Sequence, residues 1–166
     1  MKEHAVILLV EDLADDIELI RLSFDRLGLE NPIHVVRDGE EAIEYLSGAG
    51  KYANREEHPL PELILLDLKM PKVDGFEVLQ WLRAQDSLRS IPVLVLTSSE
   101  QLKDVNRAYE LGANSFLVKP LDFQTMSGAV DLIRTYWLKT TRTPESAQRP
   151  PQNGHKERKP ERNGRH

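Results

Sequence analysis

The sequence predicts an α/β fold in which helices cover both faces of a five-stranded parallel sheet. Four short runs rich in Val, Ile and Leu are hydrophobic at consecutive positions, and a fifth, weaker run contains a histidine; continuous hydrophobicity is expected for strands buried on both faces. Segments with helical spacing separate these runs, so the predicted order is βαβαβαβαβα. Right-handed crossovers then give a doubly wound sheet, and five strands fit the order 2-1-3-4-5 of flavodoxin-like proteins.

The predicted strands are too short to be helices and lack a strict alternation of polar and apolar residues. Their letters are AVILLV, IHVV, LILL, IPVLVL and FLV. These runs occupy residues 5–10, 33–36, 63–66, 91–96 and 116–118.

The predicted helices repeat apolar residues at steps of three and four. In the first helix this stripe consists of Ile17, Ile20, Phe24 and Leu27. Glycines follow two of the helices, where helices commonly stop. The five segments are residues 15–27, 39–46, 75–82, 102–111 and 123–138.

Two stretches have no clear period. Residues 47–61 form a predicted loop as long as functional loops usually are. Residues 141–166 contain four prolines and almost no apolar side chain, so we expect a disordered tail after a domain of residues 1–140. Since about 26 polar residues are too few to fold, we expect no second domain.

Composition excludes several classes of function. The chain has no cysteine, which rules out disulfides, thiolate catalysis and sulfur-rich metal sites. No apolar run approaches the length of a membrane span and no cleavage site follows the first run, so we expect a cytoplasmic protein. The sequence contains neither a Gly-rich nucleotide-phosphate loop nor a Gly-x-Ser-x-Gly turn, and its five histidines lack metal-ligand spacing.

Charge is distributed unevenly along the chain. The tail of residues 141–166 has seven Lys and Arg against three Glu, a net +4, which leaves −9 on the rest. An acidic body argues against nucleic acid as the main partner, because such binding requires the neutralisation of phosphates. We expect only weak, salt-dependent binding of the tail to DNA.

Polar residues follow four of the predicted strands, at the edge where open α/β sheets bind ligands. Each has an ordinary explanation on its own, such as a helix cap, a turn or a surface charge. Together they place carboxylates, a hydroxyl and a lysine at one edge, and clustered carboxylates without His or Cys suit Mg²⁺. These residues are Glu11 and Asp12, then Asp67, then Thr97 and Ser98, and last Lys119.

This set of groups is suited to phosphoryl transfer onto a carboxylate. The aspartate would be the nucleophile, the cation and the ammonium would neutralise the phosphoryl oxygens, and the hydroxyl would donate a hydrogen bond to one of them.

Four motifs make the sequence resemble the receiver domain of two-component response regulators over residues 5–138. They are VEDLADD at 10–16, LILLDLKMPKVDG at 63–75, VLTSS at 95–99 and FLVKP at 116–120. The resemblance implies a phosphorylated signalling switch fed by a sensor histidine kinase and not an enzyme acting on an external substrate.

The resemblance also implies a role for each matching residue. Asp67 is the expected phosphoacceptor, Thr97 and Phe116 are the expected switch residues, and Lys119 is the expected partner of the phosphoryl group. Asp12 and Asp67 are expected to bind Mg²⁺ directly and Glu11 largely through water, with the backbone carbonyl of Lys69 as a further ligand. Pro71 and Gly75 would shape the following loop, and Lys119–Pro120 would be a cis peptide.

The subtype is expected to be a stand-alone regulator serving a phytochrome histidine kinase. The long loop before LILLDLKMP and the ending TYWLKTTRTPE carry this resemblance. Members of that group often form homodimers through the fourth helix, fifth strand and fifth helix.

Several alternatives stay open at this point. Lys69 could slow or speed the loss of phosphate. Tyr136 and Trp137 could form a dimer patch, or Trp137 could close the core beneath Met126, Val130 and Ile133. A receiver-like binding module that works without phosphorylation would predict a damaged pocket, whereas the pocket residues are intact. A dehalogenase-like hydrolase would favour a second aspartate at position 69, where this chain has lysine.

Overall fold

The structure is a computed structural model that describes residues 4–120 and 122–135 of the 166-residue chain. Three features of the sequence lie outside the described residues: Tyr136, Trp137 and the tail of residues 141–166. Predictions about them therefore stay predictions.

In the part of the chain that the structure describes, five strands alternate with five α-helices, and a short 3-10 helix interrupts the loop before the third strand. They are β1 (Ile7–Val10), α1 (Ala14–Arg26), β2 (Ile33–Val36), α2 (Gly39–Ser47), the 3-10 helix (Gly50–Tyr52), β3 (Leu63–Leu66), α3 (Gly75–Ala84), β4 (Val93–Thr97), α4 (Leu102–Glu110), β5 (Ser115–Val118) and α5 (Phe123–Ile133).

The strands form one parallel sheet in the order β2-β1-β3-β4-β5. This confirms the predicted doubly wound fold and its strand order. Most predicted boundaries lie within two residues of the observed ones. The α5 helix is assigned as far as Ile133, and residues 136–138 of its predicted range lie outside the described residues.

Each face of the sheet has its own hydrophobic core, which explains the continuous apolar runs. Alternate residues of a strand point to opposite faces. In β1, Ile7 and Leu9 pack with α1 and α5, whereas Leu8 and Val10 pack with α2 and α3 on the other side. Both sets are buried, so every position of β1 must be apolar.

The long loop after α2 is folded back onto that helix. Arg55 donates from Nη1 to the carbonyl of Tyr45 at 2.7 Å and from Nη2 to the carbonyl of Leu46 at 2.8 Å. These carbonyls belong to the last turn of a helix, where they lack partners within the helix. The rings of Tyr45, Tyr52 and His58 contact one another beneath the loop.

Within the part of the chain that the structure describes, no helix is both long and apolar enough to span a bilayer.

Candidate functional site

The carboxyl ends of four neighbouring strands, β1, β3, β4 and β5, bring the predicted site residues together. Val10 is paired with Leu66 across β1 and β3, and the N–H of Asp67 donates to the carbonyl of Val10 at 3.0 Å. Glu11 and Asp67, the next residue of each strand, therefore lie side by side. On the other side, the N–H of Lys119 donates to the carbonyl of Thr97 at 2.7 Å.

Three carboxylates form the centre of the site. Glu11, Asp12 and Asp67 each offer an oxygen within 4.8 Å of the others. Glu11 and Asp67 are buried and Asp12 is half-buried. Oδ1 of Asp12 is buried and, among the described residues, has no hydrogen-bond partner. Such clustering costs free energy unless positive charge compensates it.

The ammonium group of Lys119 supplies part of that compensation. Its Nζ lies 2.8 Å from Oε2 of Glu11, 2.8 Å from Oδ2 of Asp16 and 3.2 Å from Oδ2 of Asp67. Lys119 is itself buried. The lysine therefore binds four elements of the fold together: the ends of β1, β3 and β5 and the first turn of α1.

Burial and neighbouring charges shift the pKa values of Glu11 and Lys119. Burial raises the pKa of Glu11 to about 7, with a smaller rise from the negative charge of Asp67, while the hydrogen bond from Lys119 opposes both. Burial alone would lower the pKa of Lys119, but its hydrogen bonds to Asp16 and Glu11 and the charge of Asp67 raise that pKa above its ordinary value. Lys119 is therefore charged at neutral pH.

Hydrogen bonds hold the carboxylates of Glu11 and Asp67 and the backbone of Asp12 in place. The N–H of Leu13 donates to Oε1 of Glu11 at 3.1 Å, and the N–H of Lys69 donates to Oδ1 of Asp67 at 3.3 Å. Nη2 of Arg37 donates to the backbone carbonyl of Asp12 at 3.1 Å.

The two predicted switch residues lie on adjacent strands. Thr97 ends β4 and is fully buried, and its Oγ1 accepts a hydrogen bond from the N–H of Ser99 at 3.5 Å. Phe116 is paired with Val95 and is half-buried against the core beside α3 and α4. Thr97 is not a helix cap, because α4 begins at Leu102 after Gln101.

Gly75 allows α3 to begin directly against the phosphoacceptor candidate. A Cβ added at Gly75 would lie 2.3 Å from the backbone oxygen of Asp67 and 2.7 Å from Cα of Leu68, which is too close for any side chain. The predicted role of Gly75 in shaping this loop thus has a steric basis.

One backbone prediction is wrong. No peptide bond between described residues is cis, so Lys119–Pro120 is trans. An X–Pro bond favours trans by about 0.5–1 kcal/mol unless the surrounding structure selects the cis form, and a sequence motif alone does not reveal that selection.

Sequence reasoning missed one residue of the site, Asp16. The sequence shows two adjacent carboxylates, Asp15 and Asp16, at the start of the first helix. Adjacent residues on a helix face different directions, so only the orientation of α1 decides that Asp16 reaches Lys119 while Asp15 is exposed. The available signal in the sequence was an aspartate near the start of the helix that follows Glu11, five residues after it.

An open cleft of about 450 Å³ lies above these groups. Most of its walls come from residues that the sequence had singled out, with Leu13 and Asp16 added. The lining consists of Asp12, Leu13, Asp16, Asp67, Lys69, Ser98, Lys119 and Pro120. The lining combines carboxylates with lysines, so the cleft suits a small anionic group held together with a cation.

Comparison with known proteins gives a consistent result. A family model described as the response regulator receiver domain matches residues 7–131. The probable methanogenesis regulatory protein FilR2 of Methanothrix harundinacea is 43% identical over 145 residues, which are 86% of this chain and 89% of the relative. Response regulator Rcp1 of Synechocystis is 39% identical over 139 residues, 84% of this chain and 92% of the relative.

Solved structures agree with the sequence relatives. The phosphorylated cyanobacterial phytochrome response regulator RcpA superposes with a TM-score of 0.79 at 38% identity, covering 85% of this chain and 99% of the other. The Mn²⁺-bound form of Rcp1 superposes with a TM-score of 0.76 at 38% identity, covering 84% and 99%.

Proposed function

Because this chain belongs to the response regulator receiver domain family, we propose that it is switched by transfer of a phosphoryl group from a sensor histidine kinase to Asp67. Receiver domains of this family partner histidine kinases and bind a divalent metal, and they are not enzymes in the usual sense. The observation that carries the proposal is the cluster of Glu11, Asp12 and Asp67 with the Lys119 ammonium 3.2 Å from Asp67. Among the three carboxylates, Asp67 is the one that stands in the motif LILLDLKMPKVDG, where the family resemblance places the phosphoacceptor.

The donor set fits Mg²⁺. Three carboxylates converge within 4.8 Å, and a buried oxygen of Asp12 is left without a hydrogen bond among the described residues, as expected where a cation would take its place. Glu11, Asp12 and Asp67 would hold Mg²⁺, with the backbone carbonyl of Lys69 as a further ligand. When bound, Mg²⁺ supplies positive charge that neutralises the phosphoryl oxygens and the carboxylates together.

The transfer itself requires little covalent chemistry from the protein. An oxygen of Asp67 attacks the phosphorus of a phosphohistidine, a P–O bond forms, the P–N bond breaks, and the imidazole nitrogen leaves and takes up a proton. Lys119 stabilises the negative charge on the phosphoryl oxygens during this step. Loss of the group is hydrolysis, in which water attacks phosphorus, the acyl P–O bond breaks, and phosphate leaves the Asp67 carboxylate.

Phosphorylation would act by changing the balance between two conformations. The phosphoryl group offers Thr97 a hydrogen-bond acceptor that the unmodified carboxylate does not. Movement of the Thr97 hydroxyl would open space for Phe116, whose backbone lies on the adjacent strand. The conformation that makes these contacts gains population only through their free energy.

The surface that would transmit this change is the face formed by α4, β5 and α5. Large apolar side chains of these three elements are exposed, and Leu102 is 72% exposed; apolar side chains grouped on one face are typical of interaction surfaces. The others on this face are Tyr109, Val118 and Leu132. We propose that this face forms a homodimer.

The upstream kinase is proposed to be a phytochrome. Support comes from RcpA, which is a phytochrome response regulator at 38% identity. FilR2, at 43% identity, is named for methanogenesis instead, so kinase profiling must include kinases that are not phytochromes.

The deciding experiment measures acid-labile phosphate incorporation from purified phosphorylated kinases, phytochrome kinases included, with Mg²⁺ and with excess EDTA. Wild type should be labelled only with Mg²⁺, and Asp67→Asn should not be labelled. Asp86→Asn, which removes a carboxylate with a 97% exposed side chain, should be labelled like wild type. Wild type that stays unlabelled by every donor, yet still binds a partner, would favour a binding module that works without phosphorylation.

A further inference from the structure

The Lys119 ammonium has all its hydrogen-bonding capacity in use. A lysine ammonium has three N–H donors and no acceptor. The structure places three carboxylate oxygens around it, one each from Glu11, Asp16 and Asp67. Any phosphoryl oxygen that pairs with Lys119 must therefore replace one of these three partners.

The three partners are not equivalent in distance. The contacts to Glu11 and Asp16 are 2.8 Å, within the range of charge-assisted hydrogen bonds, whereas the contact to Asp67 is 3.2 Å. The long contact is to the residue that becomes phosphorylated. The two short contacts thus hold the ammonium in place. The third N–H, which contacts Asp67, is the one that can change its acceptor to a phosphoryl oxygen.

Asp16 differs from Glu11 and Asp67 in its position in the fold and in its exposure. It lies in the first turn of α1, not at a strand end, and it is not among the three residues whose oxygens come within 4.8 Å of one another. Its side chain is 22% exposed, compared with 1% for Glu11 and 5% for Asp67. Its polar contact within the described residues is with the ammonium.

We propose that Asp16 is a positioning residue: with Glu11 it fixes the Lys119 ammonium from the α1 side, so that the third N–H remains directed at Asp67 and at the phosphoryl group Asp67 receives. The inference rests on the proposed function for the identity of that group. Without Asp16, the ammonium would have one short anchor and would spend part of its time away from Asp67.

The first experiment uses the full chain and needs no phosphoryl donor. In protein labelled with ¹⁵N at lysine side chains, the Lys119 ammonium should give a signal protected from exchange with water. Asp16→Ala should lose that protection. Asp15→Ala, which removes the neighbouring exposed carboxylate from the same helical turn, should keep it. Equal protection in Asp16→Ala and wild type would overturn the proposal.

The second experiment uses beryllofluoride, a stable mimic of the aspartyl phosphoryl group, at saturating Mg²⁺. Asp16→Ala should bind beryllofluoride at least about fivefold more weakly than wild type, as expected for a coupled hydrogen-bond network. Asp16→Asn, which keeps an acceptor oxygen, should lose less, and Asp15→Ala should match wild type. In the Lys119→Ala background, Asp16→Ala should have no further effect.

The outcomes separate this inference from the proposed function. If wild type itself fails to bind beryllofluoride while the ammonium signal depends on Asp16, the proposed function fails and the anchoring stands. If the Asp16→Ala protein binds beryllofluoride as tightly as wild type, Asp16 does not position the lysine. The same conclusion follows if Asp16→Ala weakens beryllofluoride binding equally in the Lys119→Ala background. If Asp16→Ala weakens Mg²⁺ binding alone more than it weakens beryllofluoride binding, Asp16 is a metal ligand and the proposal is wrong.

Discussion

Nζ of Lys119 lies 3.2 Å from Oδ2 of Asp67, although 52 residues separate them in the chain. The contact joins the ends of β3 and β5, two strands that are not neighbours because β4 lies between them. The side chain of Lys119 reaches past β4 to do so. The ammonium of Lys119 also contacts Glu11 and Asp16. Among the described residues, no other cation lies at salt-bridge distance from these three carboxylates.

The carboxylate cluster should make the site costly to fold without a metal. We expect Asp12→Asn to raise the free energy of unfolding of the metal-free protein by about 1–2 kcal/mol, since it removes one of three like charges within 4.8 Å. The same variant should bind Mg²⁺ at least about tenfold more weakly. Substitution of a residue that only hydrogen-bonds to a metal ligand already lowers metal affinity by about tenfold or more. Urea unfolding with EDTA and Mg²⁺ titration measure both effects. A destabilised Asp12→Asn would contradict the repulsion argument.

The hydroxyl of Thr97 should matter for switching more than for phosphorylation. Thr97→Ala should still be phosphorylated, but its gain in dimer affinity on phosphorylation should fall about tenfold, the value of one hydrogen bond to a charged group. Thr97→Ser should retain most of the gain because it keeps the hydroxyl. Sedimentation of the fully phosphorylated proteins measures this. Equal dimerisation or partner binding by Thr97→Ala and wild type, each phosphorylated, would refute the role of the hydroxyl.

Two glycines should respond in opposite ways to alanine. Gly75→Ala places a Cβ 2.3 Å from the backbone oxygen of Asp67, so we expect a loss of about 1–3 kcal/mol in unfolding free energy, as for overpacking. Gly128 lies within α5, and a Cβ added there would meet nothing within 4 Å beyond the backbone of its own helix. Gly128→Ala should therefore stabilise the protein by about 0.4–1 kcal/mol. Thermal and urea unfolding of both variants provide the comparison, and a tolerated Gly75→Ala would show that the loop can shift.

Acid should destabilise the fold partly through His34. Burial, followed by the charge of nearby His58, lowers the pKa of His34 below its ordinary value of 6.5. The unfolded state therefore takes up the proton first as the pH falls, so the contribution to stability is complete above about pH 6.5 and is lost below it. His34 on β2 contacts the ring of Tyr45. His34→Gln should flatten the fall in urea midpoint between about pH 7.5 and about pH 5.5; parallel curves for the two proteins would exclude His34 as a cause.

Much of the fold could be predicted because a strand that is buried on both faces has apolar residues at consecutive positions. The run LILL indicates a strand whatever surrounds it, and β3 has those four residues. The 3-10 helix Gly50–Tyr52 and the anchoring by Arg55 had no periodic signal.

The candidate site was likewise predicted only in part. Glu11, Asp12, Asp67, Thr97 and Lys119 were identified because parallel strands place their carboxyl ends at one edge, so that position in the chain already implies proximity. The trans bond before Pro120 and the part played by Asp16 depend on local packing and were not predicted.

The order of polar and apolar residues by itself determined that five strands form a parallel sheet and that carboxylates, a hydroxyl and a lysine meet at its edge. Only the tertiary structure decided which of two adjacent aspartates contacts Lys119, 103 residues away, and how that ammonium shares its donors. The physical reason is that strand ends are placed by backbone hydrogen bonds, which the pattern encodes, whereas a helix is turned about its axis by the packing of its whole apolar face against the sheet.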